Sequence, residues 1–327
     1  MIFVTGGTGL VGRHVVEELV AGGRQVTALV RSESGAELVR RLGADAVSGT
    51  VEQPETWNGL DRCQAIVHSA AVIDAPGGWG VYQNPNVEGT RLAAARAREL
   101  DVPFIHISSI AVYGEGVGDR PHGTVTEDAP LGPRDAGPRY GRSKRLAEDA
   151  VRQEMTRGLK AVILRPCVIY GEGDRLFLPS VIRYARKGYL PLVGTGGPPL
   201  AMVHARSVAQ AVTGALDRPA AHGRAYHVTE DDPLSGDEFV AAFAEGLGLP
   251  VRAVRVPEPA ALLAAKVADL YRAMTGGGSP GYRSAVRFLK GGNPYSSEAA
   301  RRELGWQPTV KHREALPAAI RAIARSR

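Results

Sequence analysis

Tyr140 and Lys144 stand four residues apart in the stretch YGRSKRLAEDAVRQ, so a helix there puts both side chains on one face. A phenol beside an ammonium is an acid/base arrangement. Standing alone, the pair would read as an exposed aromatic and a salt-bridging lysine. It does not stand alone: Ser109, in SSIAVYG (Ser108 to Gly114), follows an apolar strand-like run and adds a hydroxyl able to polarise a bound oxygen. A tyrosine of ordinary pKa, near 10, is a poor proton carrier at neutral pH. Lowering it by about three units takes roughly 4 kcal/mol of preferential phenolate stabilisation, which nearby cations could supply.

A second constellation lies at the N-terminus. Directly after the run IFVT comes TGGTGLVG, with Gly6, Gly9 and Gly12 at the spacing G-x-x-G-x-x-G and a helical pattern behind them. A strand-to-helix turn without side chains lets the backbone approach a pyrophosphate, whose charge is favoured by the free N–H groups of the helix start at Leu10 and Val11. The motif alone is weak, but its place after a first strand makes it a dinucleotide site. The end of the second strand separates the two nicotinamide cofactors, because a carboxylate there bonds a ribose 2′-OH whereas an arginine compensates a 2′-phosphate. Here Val30 stands where the acid would be, and Arg31 with Ser32 follow. NADP(H) is therefore expected over NAD(H), and its oxidised ring joins Lys144 as a cation beside Tyr140.

These residues need a scaffold. Apolar runs at Ile2 to Thr5, Gln25 to Val30, Ala65 to Ala70, Pro103 to Ser109 and Ala161 to Pro166 alternate with helical segments. Several are too apolar to leave one face in water, which predicts an α/β fold: a Rossmann-type doubly wound parallel sheet covered on both sides. Residues 1–171 are expected to form the NADP(H)-binding domain. Residues 172–327 are expected to form mainly a smaller C-terminal α/β substrate domain, with a segment near 204–229 returning to the first. Beyond Gly171 the chain turns irregular, with loops predicted at Gly194 to Pro199 and Thr275 to Gly281. Between them, Leu262, Leu263, Val267, Leu270, Tyr271 and Met274 recur at helical spacing, predicting an amphipathic helix over Ala260 to Met274. Its apolar stripe is assigned to the core, ahead of a substrate lid or a membrane-facing surface.

Composition excludes other classes. With 327 residues, 44% hydrophobic and 23% charged, the chain is of ordinary globular character. Cys63 and Cys167 make neither a disulfide framework nor a metal-ligand spacing, so no metal is expected. The net charge of +6 is spread without an aromatic-interleaved basic block, which argues against nucleic acid. No apolar run is long enough to span a membrane, and MIFVTGG opens on a strand, so a cytoplasmic protein without an export signal is expected.

Taken together, the glycine turn, the Tyr/Lys pair, HSAA (His68 to Ala71), NVEGT (Asn86 to Thr90), RPCVIYGEGD (Arg165 to Asp174) and SSEAARRELGWQP (Ser296 to Pro308) resemble an extended short-chain dehydrogenase/reductase of the epimerase/dehydratase superfamily, over nearly the whole length. The resemblance implies Ser109 as the hydroxyl on the substrate oxygen, Tyr140 as general acid/base, and Lys144 as partner of the nicotinamide ribose. It also implies Ala70 and Pro166 as cofactor contacts, His68 and Asn86 as residues ordering backbone around the cofactor, and a homodimer through the helices that follow NVEGT and carry Tyr140. Two departures stand out. Gly49-Thr50-Val51 replaces the Gly-Asp-Leu whose acid bonds adenine, and Ala205-Arg206-Ser207 replaces an acidic cluster.

Members of the family acting on nucleotide sugars grip the diphosphate with an arginine after a Gly-Asp-Gly loop. In the corresponding segment, Gly194 to Leu200, an ungapped match puts Leu200 at that position. Ile110-Ala111 likewise replaces the acidic pair of sugar 4,6-dehydratases. The second half looks closer to 3β-hydroxysteroid dehydrogenase-like and dihydroflavonol reductase-like members. An NADPH-dependent reductase of a hydrophobic ketone or aldehyde is expected; the alternatives are a nucleotide-sugar epimerase retaining NAD(P) and a non-catalytic NADP(H) sensor.

Overall fold

The computed structural model describes residues 1–116, 120, 123–229, 232–274 and 282–325. In chain order its strands are β1 Ile2–Thr5, β2 Val26–Val30, β3 Asp45–Ser48, β4 Ala65–His68, β5 Phe104–Ile107, β6 Ala161–Pro166, β7 Val168–Tyr170, β8 Tyr189–Val193, β9 Met202–His204, β10 Ala225–Val228 and β11 Arg252–Val256. The helices are α1 Leu10–Ala21, α2 Glu33–Arg41, α3 Gly80–Tyr82, α4 Gly89–Glu99, α5 Arg139–Met155, α6 Phe177–Ala185, α7 Ala205–Leu216, α8 Gly236–Leu247, α9 Glu258–Met274, α10 Tyr282–Lys290, α11 Glu298–Leu304 and α12 His312–Arg325.

Seven parallel strands form one sheet in the order β10-β6-β5-β4-β1-β2-β3. Period-two alternation sends Ile2, Val4, Ile105, Ile107, Val162 and Leu164 to one face, where they meet α1, α2 and α7. Phe3, Ile66, Phe104, Ala161 and Ile163 go to the other, against α4 and α5. Helices on both faces explain why these strands read as nearly continuous apolar runs. β10 closes the sheet beside β6, and α7 packs closely on α1. A second apolar cluster unites α6, α8 and α12 with β8 through Leu178, Leu192, Phe239, Phe243 and Ile320. Cys63 and Cys167 are both buried and form no disulfide with each other.

Three strands differ at their ends from the sequence reading. β2 begins at Val26, β4 stops at His68 and β5 stops at Ile107. Past His68 the backbone N–H of Ala70 turns away from the ladder and donates to the Thr5 hydroxyl (3.2 Å). The edge strand β3 escaped the reading because it is mostly exposed and has no apolar run. The loop predicted at Thr275 to Gly281 lies outside the described residues.

The helix predicted over Ala260 to Met274 is present as α9, but the assignment of its stripe to the core is overturned. Leu263, Val267, Leu270 and Tyr271 are 60–67% exposed, while the buried side is made by Ala261 and Ala265. Leu262 is partly buried beside them where α9 packs on α10, and the other large side chains turn outward. Periodicity locates a stripe; it does not say which neighbour covers it.

Candidate active site

The strand order reverses between β1 and β4, and the crevice beyond the carboxyl ends at such a point is where open α/β sheets bind ligands. The glycine turn sits there, and its three glycines have separate reasons. Gly6 holds φ +71°, and a Cβ on it would stand 2.7 Å from Ala70 N on the neighbouring strand end. At Gly12 a Cβ would lie 2.0 Å from Gly6 O, so α1 leaves the turn with no room for a side chain. Only Gly9 looks outward, its Cβ position meeting nothing but Gly6 O at 3.2 Å. Gly9 is the N-cap of α1 without a side-chain cap, so the first N–H groups of Leu10 and Val11 are left for a ligand. This cradle fits a dinucleotide pyrophosphate. The Val11 side chain packs in the sheet core, which leaves its backbone for the ligand.

At the end of β2, Val30 is buried, Arg31 is exposed, and Ser32 caps α2 by accepting from Gly35 N (3.2 Å). Ala70 lies against Gly6, and Pro166 ends β6 paired with Val228. His68 is wholly buried, bonded to Thr5 Oγ1 (2.9 Å) and Thr90 Oγ1 (3.0 Å); burial, then Lys144, hold its pKa down at about 3. Asn86 ties three segments together. Its Oδ1 accepts from Val72 N (2.7 Å), and its Nδ2 donates to Val72 O and Ser143 Oγ (both 2.8 Å). Ser143 in turn donates to Tyr140 O (2.8 Å), so the strand end beside the cofactor crevice is fastened to the start of α5.

The three residues read as chemical come together at this edge. Tyr140 hydrogen-bonds the Ser109 side chain, and Ser109 Oγ also accepts from Ala111 N (3.2 Å). Burial pushes the Tyr140 phenol up to about 12, the reverse of the lowering expected from the sequence, and the Ser109 bond works against that rise. Lys144, one turn further along α5, is buried and donates to Ile107 O (2.6 Å) at the end of β5. Burial brings its ammonium down to about 8, with Glu148 opposing the fall. The arrangement offers a protonated phenol and a hydroxyl converging on one oxygen, and a cation behind them.

Glu148 went unnoticed in the sequence. It continues the Tyr140–Lys144 stripe by another four residues and is fully buried. Arg165, at the end of β6, grips it with two bonds (Nε to Oε1 2.9 Å, second guanidinium nitrogen to Oε2 2.7 Å), and Ser108 Oγ donates to Oε1 (2.6 Å). The remaining guanidinium nitrogen of Arg165 donates to Tyr113 O–H (2.6 Å) and Glu127 O (2.8 Å). The only sequence signal was the i, i+4, i+8 register, and a glutamate on so charged a helix reads as solvated. At the N-terminus of α5, Arg139 donates to Gly77 O (2.6 Å) and Arg142 lies 4.2 Å over the Trp79 ring, tying down the loop before α3.

Both departures noted above acquire a structural account. Thr50 O accepts from Thr56 Oγ1 (2.7 Å), and Val51 packs under Trp57 in the core. His204 caps α7 by accepting from Arg206 N (3.1 Å) in place of an acid, and Ala205 and Ser207 are buried, Ser207 O accepting from Trp306 Nε1 (2.8 Å). Leu200, the residue at the diphosphate-arginine position, is buried among Leu192, Tyr170 and Met202.

The model of the NAD dependent epimerase/dehydratase family matches residues 2–229. Among curated proteins, the chain is 34% identical over 320 residues to 4-hydroxy-2-methyl-3-oxo-4-farnesyl-3,4-dihydroquinoline-1-oxide ketoreductase of Stigmatella aurantiaca, covering 97% of this chain and 94% of that one. It is 28% identical over 322 residues to 2-alkyl-3-oxoalkanoate reductase of Stenotrophomonas maltophilia, covering 96% and 97%. Among solved structures, UDP-glucuronic acid 4-epimerase from Bacillus cereus, in complex with UDP-glucuronic acid and NAD, superposes with a TM-score of 0.76 at 18% identity, over 100% and 99% of the two chains. That last likeness is one of fold.

Replacing Glu148 by Gln keeps its shape but leaves the buried Arg165 charge without its counter-ion. Glu148→Gln is expected to lower stability by about 3–5 kcal/mol in urea denaturation, whereas Arg91→Gln, at an exposed pair with Glu88, changes it by less than about 1 kcal/mol. Equal effects would show that the buried pair does not anchor this edge.

Proposed function

The chain belongs to the NAD dependent epimerase/dehydratase family, and we propose that within it the protein is an NADPH-dependent reductase of an apolar ketone or aldehyde. It is an NAD(P)-dependent oxidoreductase by that membership and by its reductase relatives. The finer reading rests above all on Leu200. Its side chain is closed into the core, so the position matched to the diphosphate-binding arginine offers no cation to a sugar nucleotide. The two relatives described above are named for ketone substrates carrying farnesyl or alkyl groups, which favours the same class. Arg31, exposed beyond a β2 that ends without an acid, favours the 2′-phosphate of NADPH, with Ser32 beside it.

A nicotinamide cofactor bound in this crevice would supply the hydride to the carbonyl carbon. Ser109 and Tyr140 hold the substrate oxygen between them, replacing the bond they make to each other. As the oxygen gains charge, Tyr140 gives up its proton to it, leaving a phenolate and a neutral alcohol. The raised phenol pKa keeps that proton on Tyr140 at neutral pH, which suits reduction. Lys144, its ammonium donating to Ile107 O, would also bond the nicotinamide ribose and stabilise the phenolate. Gly6, Gly9, Leu10, Val11 and Gly12 would hold the pyrophosphate, and Ala70 and Pro166 would flank the cofactor.

Assay of a ketone panel with NADPH and NADH tests this reading. Oxidation of NADPH by apolar ketones is expected, with Tyr140→Phe lowering kcat about 10²- to 10⁴-fold and Arg31→Ala erasing the preference for NADPH. Cofactor that stays bound through purification, with epimerised sugar nucleotides and no net oxidation, would overturn it. A pH dependence also follows. Lys144 is charged below about pH 8 and neutral above, so kcat/KM for reduction should be level near neutrality and fall as pH rises through that value. Losing Glu148 removes the charge that opposes the fall, so the descending limb of Glu148→Gln should lie at lower pH; superimposable profiles would contradict this.

A further inference from the structure

Helix α9 turns the wrong side outward for a protein that meets only water. From Pro259 to Tyr271 its exposed positions are Pro259, Ala260, Leu263, Ala264, Lys266, Val267, Leu270 and Tyr271: seven uncharged residues, one lysine, and no carboxylate. The two acids of α9 are engaged elsewhere, Glu258, just before this stretch, with Lys290 (2.9 Å) and Asp269 as acceptor of Tyr282 N (3.2 Å). We propose that this face is an interfacial membrane-docking surface, on which α9 lies in the headgroup plane of an anionic bilayer.

Three observations favour a lipid surface. Leu263, Val267 and Leu270 make the apolar stripe, Tyr271 at its edge is apolar in body and polar at its tip, and Lys266 flanks it; this is the pattern of a helix lying in a bilayer interface. The absence of acids on the exposed arc, in a chain of net charge +6, complements an anionic surface. One stripe of four side chains offers a few hundred Å² at most, below the roughly 800 Å² per partner of a stable dimer, so a second copy is the poorer occupant. With Glu258, Lys266, Asp269 and Arg272 among its 17 residues α9 is also not apolar enough to cross a bilayer, and among the described residues no helix is long and apolar enough to do so.

The face is connected to the reaction edge. α9 packs on α10, whose Phe288 meets Phe177 (5.4 Å between ring centroids) just after the Gly171 to Asp174 turn. The chain leaving α10 brings Tyr295 onto Tyr113 (5.8 Å), in the segment that follows Ser109. Docking would hold this edge near a pool of membrane-dissolved substrate; this benefit rests on the apolar-substrate reading, while the docking itself does not.

Vesicle flotation of the NADPH-bound protein tests the proposal without any substrate. Wild type is expected to float with vesicles of phosphatidylcholine and phosphatidylglycerol, and less with phosphatidylcholine alone. The triple variant Leu263→Ser, Val267→Ser, Leu270→Ser should lose partitioning roughly tenfold or more, with NADPH affinity and reduction of a short water-soluble ketone unchanged. Tyr271→Trp should show a blue-shifted emission on vesicle addition relative to wild type. Wild type that fails to float with either composition, or a triple variant that floats as well as wild type, overturns the proposal. So does light scattering that finds a dimer which the triple variant dissolves, for then a second copy is the occupant. Failure of the ketone assay with flotation intact would overturn the substrate reading and leave the docking surface standing.

Discussion

The pair between Glu148 and Arg165 is the contact on which the reaction edge depends. Both side chains are essentially inaccessible to water, and withdrawing two such ions from solvent costs several kcal/mol for each. The site recovers this through a bidentate geometry and by satisfying the rest of both groups with Ser108, Tyr113 and the Glu127 carbonyl. A pair this demanding fixes position: α5 can sit against β6 in one register only. Because Tyr140 and Lys144 lie on the same stripe of α5, fixing Glu148 fixes them as well.

The same contact joins geometry to electrostatics. Ser108 is pinned by Glu148, so Ser109 next to it is presented to Tyr140 from a tethered strand end. Lys144 is buried, and burial alone would favour its neutral form; the carboxylate one turn along keeps the ammonium charged near neutral pH. Asn86 carries the constraint to the other side of the crevice, binding the backbone after β4 to Ser143 and through it to Tyr140. The strand end beside the glycine turn and the residues Ser109, Tyr140 and Lys144 are thus held from two sides by buried polar contacts.

Much of this was legible in the sequence because it obeys local rules. The glycine turn follows a strand, Tyr140 and Lys144 share a helical face, and apolar runs mark strands buried on both sides. What stayed hidden depends on partners distant in the chain. Nothing near Glu148 announces Arg165, and nothing near Asn86 announces Ser143. Leu200 could be read as a missing arginine, but that its side chain fills a core required the fold. α9 misled in the opposite direction: its apolar spacing is real, yet Ala261 and Ala265 face the protein while Leu263, Val267, Leu270 and Tyr271 face out. Hydrophobic periodicity carries the axis of a helix but not the sign of its burial.

The central claim is that Ser109, Tyr140 and Lys144 direct hydride from NADPH to the carbonyl carbon of an apolar ketone. Its most direct measurement is isotopic: reduction of such a ketone with NADPH deuterated at the transferable C4 position, followed by mass spectrometry and NMR of the alcohol. One deuterium is expected on the carbinol carbon of each product molecule, in a single configuration. Alcohol without deuterium, or label that stays on the cofactor while substrate is converted, would contradict it.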